Sequence, residues 1–120
     1  MIEVGRRTKN QPAPPWAVFE ALVDPHRDPA RPWLALLHDE LEPEVLEQDE
    51  LRLVVWSSLW LRRPDATVRF DVLPGGPKGG TDLRWTLLVE EPPPDLALVG
   101  QLCKRLNQII NAELRYSFGQ

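Results

Sequence analysis

Hydrophobic and polar positions alternate most regularly in the middle of the chain. In "TVRFDVL", Val68, Phe70 and Val72 fall on one face, with Thr67, Arg69 and Asp71 on the other. After "PGGPKGG" the same period returns: Leu83, Trp85, Leu87 and Val89 face inward, Asp82, Arg84 and Thr86 outward. Two period-2 runs around a glycine-rich loop predict an antiparallel hairpin. Charge then predicts its register. One pairing that keeps both apolar sets inward opposes Arg69 to Arg84 and Asp71 to Asp82. A shift of two residues instead opposes Asp71 to Arg84, Val72 to Leu83 and Phe70 to Trp85. Opposed like charges destabilise and aromatic pairs help, so the second register is expected.

Upstream, "EVLEQDELRLVVWSSLWL" predicts a strand near 43–48, a turn at Gln48-Asp49-Glu50, and a long strand from Leu51 to Leu61. An acidic helix over 39–50 is the alternative, since Leu41 and Val45 also fit helical spacing. Ile2 and Val4 alternate about Glu3 and predict a short N-terminal strand. In "PAPPWAVFEALVDP" the period changes: Val18, Phe19 and Leu22 make one helical stripe. Pro15 suits the first turn of a helix, and Asp24-Pro25 stops it. A second short helix is expected from Pro32, with Trp33, Leu36 and Leu37 on its buried side. Neither helix is long enough to stand alone.

The longest helix runs from about Asp95 to Ser117, roughly 33 Å at 1.5 Å per residue. Val99, Leu102, Cys103, Leu106, Ile109 and Ile110 form its buried stripe. Arg105, Gln108 and Arg115 are expected toward water or the helix flank.

Composition sharpens this picture in a few places. The 120 residues suit a single domain over 1–120. Thirteen prolines sit at the junctions between the elements just described. A net charge of −4 with scattered Arg and Lys argues against a nucleic-acid footprint. A single cysteine excludes an intramolecular disulfide and fits a reducing, cytoplasmic setting. No apolar run reaches the length of a membrane span.

Candidate chemistry is sparse. His26 and His38 have no ligand spacing around them, so neither a metal nor a cofactor is expected. Cys103 lies on an apolar stripe, where cysteine behaves as a small hydrophobe. "PGGPKGG" carries Lys78 but lacks the Ser or Thr and the helix start that a phosphate loop needs. The acidic "EPEVLEQDE" reads as a solvated hairpin edge that discourages edge pairing. Tryptophan is more telling, because Trp56 and Trp60 share a face with Val54 and Ser58. Leu51, Leu53, Val55, Leu59 and Leu61 make the opposite face of the same predicted strand apolar too. A single layer cannot cover both, which implies a homodimer through the second face of 51–61.

In this order of elements, "PAPPWAVFEALVDP" with Trp33 following, "VLEQDELRLVVWSS" and "VRFDVLPGGPKGGTDLRW" together resemble the START-like SRPBCC superfamily. That group includes polyketide cyclase-like and pollen-allergen-like proteins. The resemblance implies an α+β helix-grip fold, a curved antiparallel sheet wrapped around the C-terminal helix, with two short helices after the first strand. It implies a cavity between sheet and helix that takes a small apolar or aromatic molecule without a covalent step. The residues placed to line it are Trp56, Phe70, Trp85, Leu87, Leu102, Leu106 and Ile110. No catalytic residue is assigned. A cyclase or aromatase-like enzyme is the alternative, with Tyr116, Arg84 and Arg69 as the few polar groups it could recruit. An interaction module with a filled core is the third reading. About five strands are counted where the fold usually has six or seven, so the cavity is expected to be small or filled.

Overall fold

The central hairpin forms in the register that charge selects. β4 (Thr67–Pro74) and β5 (Thr81–Val89) pair with Asp71 opposite Arg84, Phe70 opposite Trp85 and Val72 opposite Leu83. On the outer face the Asp71 carboxylate accepts from Arg69 at 3.1 Å and forms an ion pair with Arg84 at 3.3 Å. The loop between the strands is closed by Gly80 at φ +67, where a Cβ would lie 2.1 Å from the Gln11 carbonyl oxygen. Only glycine permits both the left-handed turn and that approach.

The computed structural model describes residues 1–30 and 32–118. The hairpin is the centre of a five-stranded antiparallel sheet in the order β1-β5-β4-β3-β2. β1 (Ile2–Gln11) continues well past the apolar residues that announce it, because β5 offers it a full ladder. β2 (Val45–Asp49) and β3 (Leu53–Trp56) form the other side, so the acidic stretch is strand and turn rather than helix. The expected long strand to Leu61 ends at Trp56. There the Ser58 hydroxyl accepts from the Trp60 amide and donates to the Arg63 carbonyl, local bonds that replace the ladder. Leu59, beyond the strand end, is buried, and Leu61 remains 67% exposed.

α1 (Pro15–Val23) has Pro15 in its first turn and buries Val18, Ala21 and Leu22, at i, i+3 and i+4. Its last carbonyls are capped from a distance. Trp33 Nε1 donates to Ala21 at 3.0 Å, and Trp56 Nε1 donates to Leu22 at 2.8 Å. These bonds satisfy groups that a helix end leaves open.

The second short helix expected from Pro32 is not formed. Residues 32–37 run without regular structure. Trp33 and Leu34 are buried while Leu37 is exposed. The indole of Trp33 is tied to α1, and the Ala35 carbonyl accepts from Arg105 at 2.7 Å. Two anchors this close together hold the chain extended, against a helix too short to resist them.

α2 (Leu96–Gln108) starts where Asp95 caps the Leu98 amide at 2.8 Å. It runs on through a π-helical stretch (Ile109–Leu114) into a last turn (Arg115–Ser117). This whole long helix lies on the inner face of the sheet. Leu102, Leu106, Ile109, Ile110 and Leu114 pack there against strand residues that include Phe70 and Leu87. Each such side chain contributes about 1.5–3 kcal/mol on burial.

Candidate functional site

Two rungs of the sheet set the inner surface. Val54, Phe70 and Trp85 are aligned across β3, β4 and β5, and so are Trp56, Val68 and Leu87. On β1 the rungs continue to Arg7 and Gly5. Trp56 and Phe70 meet edge to face with centroids 4.7 Å apart, and Trp33 stacks on Trp56 at 6.1 Å. Such pairs add about 0.5–1.5 kcal/mol beyond burial.

The structure brings Trp56, Phe70, Trp85, Leu87, Leu102, Leu106 and Ile110 together between sheet and long helix, each at most 2% exposed. Three cavities stand out among the described residues, and of these seven only Leu102 borders one. A groove of about 590 Å³ lies on the outer face, bounded by Leu51, Leu53, Arg69, Asp71 and Leu73. A pocket of about 170 Å³ lies between the long helix and the 37–40 segment. A shallow site of about 410 Å³ lies beside Phe19, Val23 and Arg27.

Polar groups inside the interface escaped the reading from sequence. Trp85 Nε1 donates to Asn107 Oδ1 at 3.1 Å, and Asn111 Nδ2 donates to the same oxygen at 3.2 Å. Gln11, fully buried at the end of β1, donates from Nε2 to the Ile110 carbonyl and to Asn111 Oδ1, both at 3.3 Å. Among the described residues its Oε1 has no donor. The Asn107 and Asn111 pair, at i and i+4, was the available signal.

Arg105 takes the helix flank, one of the two places expected for it. It is not turned to water but buried against the 35–40 segment, donating to both Glu40 oxygens at 2.9 Å, to the Ala35 carbonyl and to Glu113. The Glu40 side chain is 2% exposed. Burial alone would raise the Glu40 pKa. Hydrogen bonds from Arg105 and the Leu37 amide, with the Arg105 charge, outweigh it and hold the carboxyl below its ordinary value. An acidic residue five positions before Val45 carried no hint of a partner so far along the chain.

Cys103 is half-buried against β1, where a Cβ on Gly5 would lie 2.5 Å from its Sγ. Burial pushes its thiol pKa up, which suits packing rather than nucleophilic attack. The polar groups that an enzyme could recruit do not converge. Tyr116 is exposed, and Arg69 and Arg84 sit with Asp71 on the outer face. His26 pairs with Glu42 at 2.7 Å on the surface. No three His, Cys, Asp or Glu side chains gather as a metal site among the described residues. None of the described helices is long and apolar enough to cross a membrane.

No family model and no curated protein sequence matches this chain. Its shape does match solved structures. A protein from Nitrosospira multiformis superposes with a TM-score of 0.70 at 14% identity, over 95% of this chain and 94% of that one. An AHSA1-like protein from Rhizobium etli gives 0.59 at 21% identity, over 92% of this chain and 78% of that one. Ara h 8.0201 gives 0.57 at 13% identity, over 97% of both chains. Together with its strand order and its buried long helix, these likenesses establish the fold: the chain is a helix-grip protein, an antiparallel sheet closed on a long C-terminal helix.

Proposed function

We propose that the protein binds a small hydrophobic or aromatic molecule, non-covalently, between the sheet and the long helix, with Trp56, Phe70, Trp85, Leu87, Leu102, Leu106 and Ile110 around it. One observation carries this reading. The π-helical stretch Ile109–Leu114 crosses the sheet beside a buried Gln11 Oε1 that has no donor among the described residues. A π turn is rare and concentrates at functional sites, and an unpaired buried acceptor costs about 1–3 kcal/mol. The half-buried thiol of Cys103 suits a reducing, cytoplasmic setting.

The tight packing of the same seven residues favours a second reading, the interaction module with a filled core. Titration separates the two. Decanol or 1-naphthol should change tryptophan emission saturably in a binder. No response across an apolar panel, with Leu106→Trp costing about 1–3 kcal/mol through overpacking, would leave the filled module standing.

We also propose that two copies meet through the outer face. Leu51 adopts φ +65, a strained conformation for leucine, and is 43% exposed at the edge of the outer groove. Its side chain serves no core of its own protomer. Sedimentation should show a dimer that Leu51→Asp dissociates; a monomer at all concentrations would reject it.

A further inference from the structure

The five tryptophans divide four to one. Trp33, Trp56, Trp60 and Trp85 are buried, and three of them give their indole N–H to the Ala21 and Leu22 carbonyls and to Asn107. Trp16 is 58% exposed. Among the described residues its indole N–H has no acceptor and its ring no aromatic partner. One apolar side chain in water is ordinary. Its place beside the outer groove is not. Pro15, immediately before it, lines that groove of about 590 Å³, and Leu51, Leu53, Leu73 and Pro74 are the other apolar walls. Trp16 itself does not line the groove.

Knob and socket are thus neighbours on one protomer. A two-fold interface is self-complementary: what one copy inserts, the other inserts at the equivalent point. The charges of the groove permit such an exchange. Asp49 pairs with Arg52 and Asp71 with Arg69, so two acids and two bases leave the groove neutral on a chain of net charge −4. Its own image is not repelled. The polar groups also complement an indole. Arg52 takes Asp49 Oδ2, while Oδ1 accepts from no described residue and stays available to an indole N–H. The Arg69 guanidinium, held by Asp71, offers a cation to the ring face. Seating one indole buries about 150–250 Å², and symmetry does this twice. We infer that the outer groove is the socket for Trp16 of a second copy, and that this exchange anchors the pair. The inference rests on the dimer reading above and names the side chain that makes it.

Sedimentation equilibrium and fluorine NMR of protein labelled with 5-fluorotryptophan test it together. The signal missing from Trp16→Phe belongs to Trp16. Trp16→Ala should raise the dimer dissociation constant at least about thirtyfold, the loss expected of a central tryptophan anchor. Leu73→Asp, in the socket wall, should do the same. Both residues are exposed, so neither change removes a core contact. The Trp16 signal should move with protein concentration in the wild type and stay fixed in Leu73→Asp. A dimer that Leu51→Asp dissociates but Trp16→Ala leaves intact would overturn the exchange while keeping the dimer reading. Weakening by Trp16→Ala but not by Leu73→Asp would seat the indole elsewhere and overturn the socket. A monomer at all concentrations would overturn the dimer reading, and this inference with it. If the Trp16 signal of that monomer responds to 1-naphthol, the groove belongs to a small molecule instead.

Discussion

The two flanks of the long helix solve one problem in opposite ways. On the 35–40 side, a buried arginine is surrounded by acceptors: Glu40, the Ala35 carbonyl and Glu113. On the β1 side, Gly5 meets Cys103, Gln11 donates to Asn111 and to the Ile110 carbonyl, and Arg115 donates to the Asn10 carbonyl at 2.6 Å. Charge-assisted bonds are roughly twice as strong as neutral ones and fix one geometry. The first flank is a clamp built on a buried ion pair, and the second joins neutral side-chain bonds to one arginine–carbonyl bond.

The largest expected effect comes from cutting the clamp. Arg105→Ala leaves the Glu40 carboxylate buried and unpaired, and should cost about 3–5 kcal/mol in urea unfolding. Less than about 1 kcal/mol would mean the two flanks hold equally. Next comes the β1 flank. Gly5→Ala drives a methyl into Cys103 Sγ and should cost about 1–3 kcal/mol. Cys103→Ala should recover most of that loss in the double variant, and no recovery would place the strain elsewhere.

The clamp also predicts a pH dependence. The Glu40 pKa is lower folded than unfolded, so its contribution is present above the ordinary glutamate range. It is lost as pH falls through the lowered folded value. Stability of the wild type should therefore drop in acid with a slope that Glu40→Gln reduces; identical slopes would contradict the assignment. Smallest of all, Asp71→Asn on the outer face should cost no more than about 1 kcal/mol, since its arginines are partly exposed.

These contrasts also explain what could be read from sequence. The hairpin was legible to its register, because period-2 alternation and opposed charges act between near neighbours. The long helix was legible for its stripe and for its Asp95 cap. The missed features depend on partners far along the chain. Arg105 finds Glu40 across 65 positions, and Trp33 gives its indole to α1 instead of opening a helix. Gln11 ends the polar run GRRTKNQ, beyond the short strand that Ile2 and Val4 predict, yet the helix covers it. The π turn leaves no mark in the spacing of Ile109, Ile110 and Leu114.

The most direct measurement fastens the long helix to β1. Gly5→Cys places a second thiol against Cys103, where a Cβ at position 5 already lies 2.5 Å from its Sγ. Oxidation would staple the long helix to β1, and reduction would free it. A molecule held between the tightly packed sheet and long helix needs the two to part, so the oxidised variant should lose its saturable tryptophan response to decanol and regain it on reduction. An oxidised protein that binds decanol as tightly as the reduced one would contradict a site between them.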